Sequence, residues 1–122
     1  MILVDTSVWV DHLRKSDVGL RNLLLRGRVL SHPLVIGELA MGSFTRRDLL
    51  IKELGDLPKA AVADDDEVLH FVSRESLFGL GIGYIDAHLL AAVRLLPGTL
   101  LWTRDKRLKE IAVRFNLAAP ER

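Results

Sequence analysis

The apolar runs of this chain are short and stop abruptly. ILVD (2–5), VLSH (29–32), AAVA (60–63) and TLLW (99–102) each offer a few consecutive apolar residues rather than an apolar–polar alternation. A strand without alternation is buried on both faces. Stretches of helix length separate these runs, so the strands cannot pair as hairpins. They must lie parallel, with helices covering both sides of the sheet. The expectation is a three-layer α/β/α fold around a central parallel sheet of four or five short strands. AAVA is the weakest of the four, and 117–119 would supply the fifth as an edge strand.

The helical segments follow from the same reading. Thr6 or Ser7 can cap a helix running to about Lys15, with Val8, Trp9 and Leu13 on its inner face. Further helices are expected over 17–26, 33–42, 45–55, 64–78, 84–95 and 105–115. Pro33 fits a first helical turn. GLGIG (79–83) reads as a loop that turns the chain into the next helix, because no GK[ST] follows to make it a phosphate loop. DDDE (64–67) lacks the spaced ligands of a calcium loop and reads as a helix start. With 122 residues and no linker, repeat or low-complexity segment, residues 1–122 read as one domain around one core.

Composition removes several classes of function. There is no cysteine, which excludes structural disulfides and cysteine-based zinc sites. The four histidines, His12, His32, His70 and His88, have no metal-ligand spacing. No run is long and apolar enough to span a membrane, and MILVDTS lacks the form of a signal peptide. A cytoplasmic enzyme or binding module is expected. Apolar residues make up 49% of the chain, and mean hydropathy is +0.22, so some apolar surface is expected to face a partner. The helix at 33–42 and LLI at 49–51 are the candidate surface, and a symmetric homodimer the expected assembly.

Four acids stand where these short elements begin or end: Asp5, Glu38, Asp86 and Asp105. Each has an ordinary reading. Asp5 and Asp105 suit helix caps. Asp86 suits the first turn of a helix, where the helix dipole favours negative charge. Glu38 is the only charge in PLVIGELAMG, which predicts a buried carboxylate in need of a partner. Ligands of an open parallel sheet bind beyond the carboxyl ends of its strands, at the switch point of strand order. If the first strand and TLLW are neighbours there, Asp5 and Asp105 converge. Gathered carboxylates repel unless a hard divalent cation neutralises them, and oxygen ligands suit Mg²⁺ or Mn²⁺. Such a site suits phosphodiester hydrolysis.

The formal net charge is only +1, but sequestering four acids leaves the remaining surface basic. Arg104, Lys106, Arg107 and Lys109 surround Asp105, while Arg14, Lys15, Arg21, Arg26 and Arg28 form an early group. Basic surface around an acidic site suits a polyanion. Most of these residues read individually as solvated charges; the group around Asp105 reads as a phosphate-contact set. A Ser-His-Asp triad finds no convincing arrangement, and His88, two positions past Asp86, points away from it on a helix.

Taken together, DTSVW at the start, Glu38, DAHLLAA (86–92) and TRD (103–105) resemble the PIN-domain ribonucleases, and most closely the VapC-type toxins of toxin–antitoxin pairs. The resemblance runs from Met1 to about Leu108 and departs at Trp102, which is bulky for the position before the threonine. It implies a Mg²⁺- or Mn²⁺-dependent endoribonuclease. Asp5, Asp86 and Asp105 would ligate metal directly, and Glu38 directly or through water. Thr103, with Thr6 or Ser7, would orient carboxylates or water. Thr6, Ser7, Arg104, Lys106 and Arg107 form the expected substrate-facing set. The family further implies RNA as substrate, a homodimer, and a small protein antitoxin whose tail lies near the acids beside Glu38.

Three rivals remain at this level, of which a non-catalytic PIN-like binding module is opposed by the retention of all four acids. A phosphoacceptor receiver domain has this length and class, but Asp5 is followed by Thr6 rather than a second acid, and Asp56 precedes the candidate third strand. A DNA nuclease of similar chemistry is the third, since the residues alone do not distinguish DNA from RNA.

Overall fold

The structure, a computed structural model, describes all of residues 1–122. Its centre is β1 (Ile2–Val4), paired in parallel with β2 (Val29–Leu30) on one side and β3 (Leu100–Trp102) on the other. The register sets Ile2 opposite Val29 and Leu100, Leu3 opposite Leu30 and Leu101, and Val4 opposite Trp102. Successive strand residues face opposite sides of a sheet. Ile2, Leu3 and Val4 are nevertheless 3%, 0% and 0% exposed, so both faces of β1 are covered.

Seven helices provide the cover: α1 (Thr6–Arg14), α2 (Val18–Leu25), α3 (Pro33–Ala40), α4 (Arg47–Asp56), α5 (Asp65–Arg74), α6 (Tyr84–Leu95) and α7 (Lys106–Arg114). Their starts are chemically specified. Asp17 accepts from Leu20 N–H at 2.9 Å to cap α2. Asp64 and Glu67 form a reciprocal capping box on α5, at 2.8 and 3.1 Å. Pro33 opens α3, and His32 Nδ1 accepts from Leu34 N–H at 3.1 Å. The innermost helix is α6, where every residue from Ala87 to Val93 is buried. It packs against α5 and β3. No helix is long and apolar enough to cross a membrane.

The sheet is narrower than the expected four or five strands. AAVA forms no strand. The chain touches β2 only through a single bridge between Ser31 and Lys59, with Ser31 N–H donating to Pro58 C=O and Ala60 N–H to Ser31 C=O, both at 2.8 Å. At the opposite edge, Ala118 makes one bridge to Leu101. Both outer segments therefore lie on the expected edges but pair over one residue. The helix from 64 ends at Arg74 rather than Phe78, because Ser76 turns left-handed at φ 53° and Leu77 N–H returns to Val72 C=O at 2.9 Å.

The core contains 29 buried apolar residues, and Leu3 and Leu90 lie wholly within it. Leu3→Ala and Leu90→Ala should each cost about 3 kcal/mol in urea unfolding. Leu25→Ala, at a side chain 80% exposed, should cost no more than ~0.5 kcal/mol.

Candidate active site

The order β2-β1-β3 places the switch point between β1 and β3. Asp5 leaves β1 there and continues the ladder, its N–H donating to Trp102 C=O at 2.9 Å. Thr103 leaves β3 at the same level. Its hydroxyl donates to Asp5 Oδ2 at 2.8 Å and accepts from Asp105 N–H at 3.1 Å. Ser7, in the first turn of α1, donates to the same Asp5 oxygen at 2.7 Å and accepts from Arg104 N–H at 3.0 Å. Two hydroxyls from separate chain segments thus hold one buried carboxylate.

Asp5 occupies the N-cap position of α1 but makes no side-chain cap bond. Its carboxylate is turned to Ser7 and Thr103 instead. Asp105 does cap α7, accepting from Leu108 N–H at 2.9 Å. Asp86 lies in the first turn of α6 and accepts from Gly83 N–H at 3.0 Å. Glu38 accepts from the Thr6 hydroxyl at 2.7 Å. The expectation of a buried Glu38 is wrong. Only Val35 and Leu39 are buried on α3, and Glu38 is on the helix's exposed side. The apolar composition of that helix concealed a one-sided packing arrangement.

Each of the four acids uses one oxygen to hold the fold. Asp5 Oδ1, Glu38 Oε2, Asp86 Oδ1 and Asp105 Oδ2 make no hydrogen bond. All four acids belong to one electrostatic neighbourhood. Burial pushes the Asp86 carboxyl above its ordinary range, and Asp5, Asp105 and Glu38 raise it further against the opposing Gly83 N–H. As oriented, no three Asp, Glu or His side chains are close enough to grip an ion. The donor chemistry does fit a hard divalent cation: all four groups offer oxygen, each has one oxygen unengaged, and their shared negative charge is uncompensated.

Other expected residues are distributed unevenly. Thr6, Ser7 and Thr103 all orient carboxylates. Lys106 and Arg107 are exposed, and Arg107 lies across the backbone of Gly81, whose φ of +82° and missing Cβ permit that close approach. Arg104 differs: its guanidinium is engaged by Asp11, Asp17 and Glu121. The receiver pattern does not form, because Asp56 ends a helix rather than a strand.

A polar cluster that joins buried His32 and His88 to exposed Asp65 and Tyr84 was not legible in the sequence. His88 points away from Asp86, as its spacing requires, and its Nε2 meets Asp65 Oδ1 at 3.1 Å. Tyr84 donates to the same oxygen at 2.6 Å, which raises the phenol to about 12. The His88 ring is 6.3 Å from that of His32, at an angle of 64°. Burial, then the His88 charge, lowers His32 to about 4, so it is neutral at physiological pH. His32 Nε2 and His88 Nδ1 are buried without a partner. His32 Nδ1 accepts from Leu34, which places its proton on Nε2, whereas His88 directs its own Nε2–H at Asp65. Neither histidine carries a sequence signal beyond its apolar surroundings.

A fold of this topology with acids gathered at its switch point has a known counterpart. The family model for the PIN domain matches residues 2–114, and the chain belongs to that family. It is also 49% identical over 121 residues to Ribonuclease VapC32 of Mycobacterium tuberculosis, in strain CDC 1551 / Oshkosh and in strain ATCC 25618 / H37Rv. The match covers 99% of this chain and 98% of each relative.

The raised Asp86 carboxyl has a consequence for stability. The folded chain holds this proton to higher pH than the unfolded chain does. Stability from the group is therefore fully present below the unfolded value of 3.8 and declines as pH rises through the higher folded value. At neutral pH its charge opposes folding. Asp86→Asn should raise the melting temperature of metal-free protein at pH 7, and the gain should vanish below the unfolded value of 3.8. Differential scanning calorimetry at both pH values checks this.

Proposed function

We propose that this protein is a metal-dependent endoribonuclease, the VapC-type toxin of a toxin–antitoxin pair. The observation that carries the reading is the set of four carboxylates from four different elements, each with one oxygen held by the fold and one left free. Asp5, Asp86 and Asp105 would hold Mg²⁺ or Mn²⁺ directly, and Glu38 directly or through water. When bound there, such a cation would supply activation of water and offset the charge that develops on the phosphate.

The chain's own residues do the positioning. Ser7 and Thr103 orient Asp5, Thr6 orients Glu38, and the Gly83 and Leu108 amides orient Asp86 and Asp105. Lys106 and Arg107 supply positive charge beside Asp105 for the RNA backbone. Hydrolysis joins the water oxygen to phosphorus and breaks the bond to the leaving oxygen, which gains the proton.

The reading extends to partners. A groove of about 330 Å³ runs beside Glu38, between Val10 and Leu13 of α1 and Leu39 and Phe44. It suits the tail of a small antitoxin that combines apolar side chains with an Arg or Lys directed at the acids. Exposed Met41, next to Gly42 of its lining, and Leu49, Leu69 and Phe78 elsewhere are apolar surface available to a homodimer. A cytoplasmic site of action follows from RNA as the target.

Total RNA incubated with the protein and Mn²⁺ should yield discrete ends by sequencing, and EDTA should abolish them. Asp5→Asn should lower the rate roughly 100-fold or more. Asp66→Asn, at an exposed acid without a hydrogen bond, should leave it unchanged. Equal losses in the two folded variants would place the chemistry elsewhere, and preferential cleavage of single-stranded DNA would favour the DNA nuclease. Expression alone should arrest growth, with relief from Asp5→Asn or from the neighbouring small gene. Sedimentation should give twice 13.6 kDa.

A further inference from the structure

Arg104 is the cation that the TRD motif places closest to the acids in sequence. Its position predicts a phosphate contact, but all three of its guanidinium nitrogens donate within the protein. Nη1 donates to Asp11 Oδ2 at 2.9 Å, and Nη2 to Asp17 Oδ2 at 2.6 Å. Glu121 Oε1 accepts from Nη2 at 2.9 Å and from Nε at 3.2 Å. The guanidinium also lies over Trp102, 5.3 Å from the ring centroid, and the Trp102 indole N–H donates to the second Glu121 oxygen at 3.2 Å. One cation therefore joins α1, the cap of α2 and the C-terminal segment to the end of β3.

Withdrawing that guanidinium toward a phosphate would leave Asp11, Asp17 and Glu121 without the cation that joins them. Breaking a partly buried ion network from one side is costly. The arrangement also depends on arginine itself, because a planar fork of donors serves three acceptors where an ammonium serves as a point charge. The backbone of the same residue reaches the active site: Arg104 N–H donates to Ser7 Oγ, and Ser7 in turn donates to Asp5. Asp11 ties the far end of α1 to the same side chain.

We propose that Arg104 is a positioning residue rather than an RNA contact. Its side chain clamps α1 and the C-terminal segment onto the loop after β3, so that Ser7 and Thr103 hold Asp5 at one fixed angle. Glu121, outside the acidic site, is the removable arm of this clamp. The catalytic consequence rests on the nuclease reading above; the clamp itself does not.

The test compares Arg104→Lys, Arg104→Ala and Glu121→Gln with the wild type. Lysine keeps the charge that a phosphate contact needs and loses the fork that the clamp needs. Arg104→Lys and Glu121→Gln should each lower kcat about tenfold, as a displaced reactive group does, with KM unchanged. Arg104→Ala should leave the salt dependence of RNA binding in EDTA at its wild-type slope. Hydrogen exchange of the Arg104 amide should accelerate about tenfold in Glu121→Gln, as its local protection is lost. A raised KM with normal kcat, or a flattened salt slope in Arg104→Ala, would show a phosphate contact and overturn the proposal. So would wild-type kcat and wild-type Arg104 exchange in Glu121→Gln, a variant that keeps Arg104 itself. If the wild type cleaves no RNA in any divalent metal, the nuclease reading fails, and the exchange measurement alone decides the clamp.

Discussion

The hydrogen bond from the Thr103 hydroxyl to Asp5 joins residues 98 positions apart and ties the acidic site together. It depends on the β1–β3 ladder, which sets Val4 beside Trp102 and so brings the two strand ends to the same level. A shift of register by one residue would turn the Thr103 hydroxyl to the other face of the sheet. It would also expose part of a strand that is now wholly buried. Core packing and site geometry are therefore enforced by the same pairing, although the sheet around it has only three strands.

Four carboxylates are tolerated in one neighbourhood because each accepts a hydrogen bond from the local backbone or from a hydroxyl. Three of them, Asp5, Asp86 and Asp105, sit at helix starts, where amides are free to be capped, and Asp105 caps one. In each acid one oxygen is held by the fold and the other makes no hydrogen bond. Asp105 is the clearest case, with one oxygen on Leu108 and the other unbonded. The cost of this arrangement falls on Asp86, whose charge is opposed first by burial and then by its three acidic neighbours. Strained electrostatics of this kind concentrate at functional sites.

Positive charge is divided in a similar way. Lys106 and Arg107 face outward beside the site, while Arg104, from the same short segment, is turned inward onto acids from three parts of the chain. The Glu121 and Asp17 carboxyls are correspondingly held below their ordinary range. For Asp17 the Arg104 hydrogen bond is the main cause; for Glu121 burial pushes upward and is outweighed by the bonds from Arg104 and Trp102 together with the charges of Arg104 and Lys109. Charge near an active site is thus a poor guide to substrate contact until its partners are known.

The sequence by itself determined the class of fold, the parallel central strands and the identity of the four acids. Runs such as ILV and LLW are too short and too uniformly apolar to be anything but doubly covered strands, and an acid at the end of such a run has few places to go. Local chemistry also specified the helix starts at Asp17, Pro33, Asp64 and Asp105. Only the tertiary structure decided which side of α3 faces outward, that AAVA fails to pair, and that α5 ends at Arg74. It alone showed His88 meeting Asp65 and Arg104 meeting Glu121. Strand and helix propensities are set by neighbouring residues and survive in a linear reading. Burial, edge pairing and ion pairs depend on residues up to about a hundred positions away, and those distances exist only once the sheet has closed.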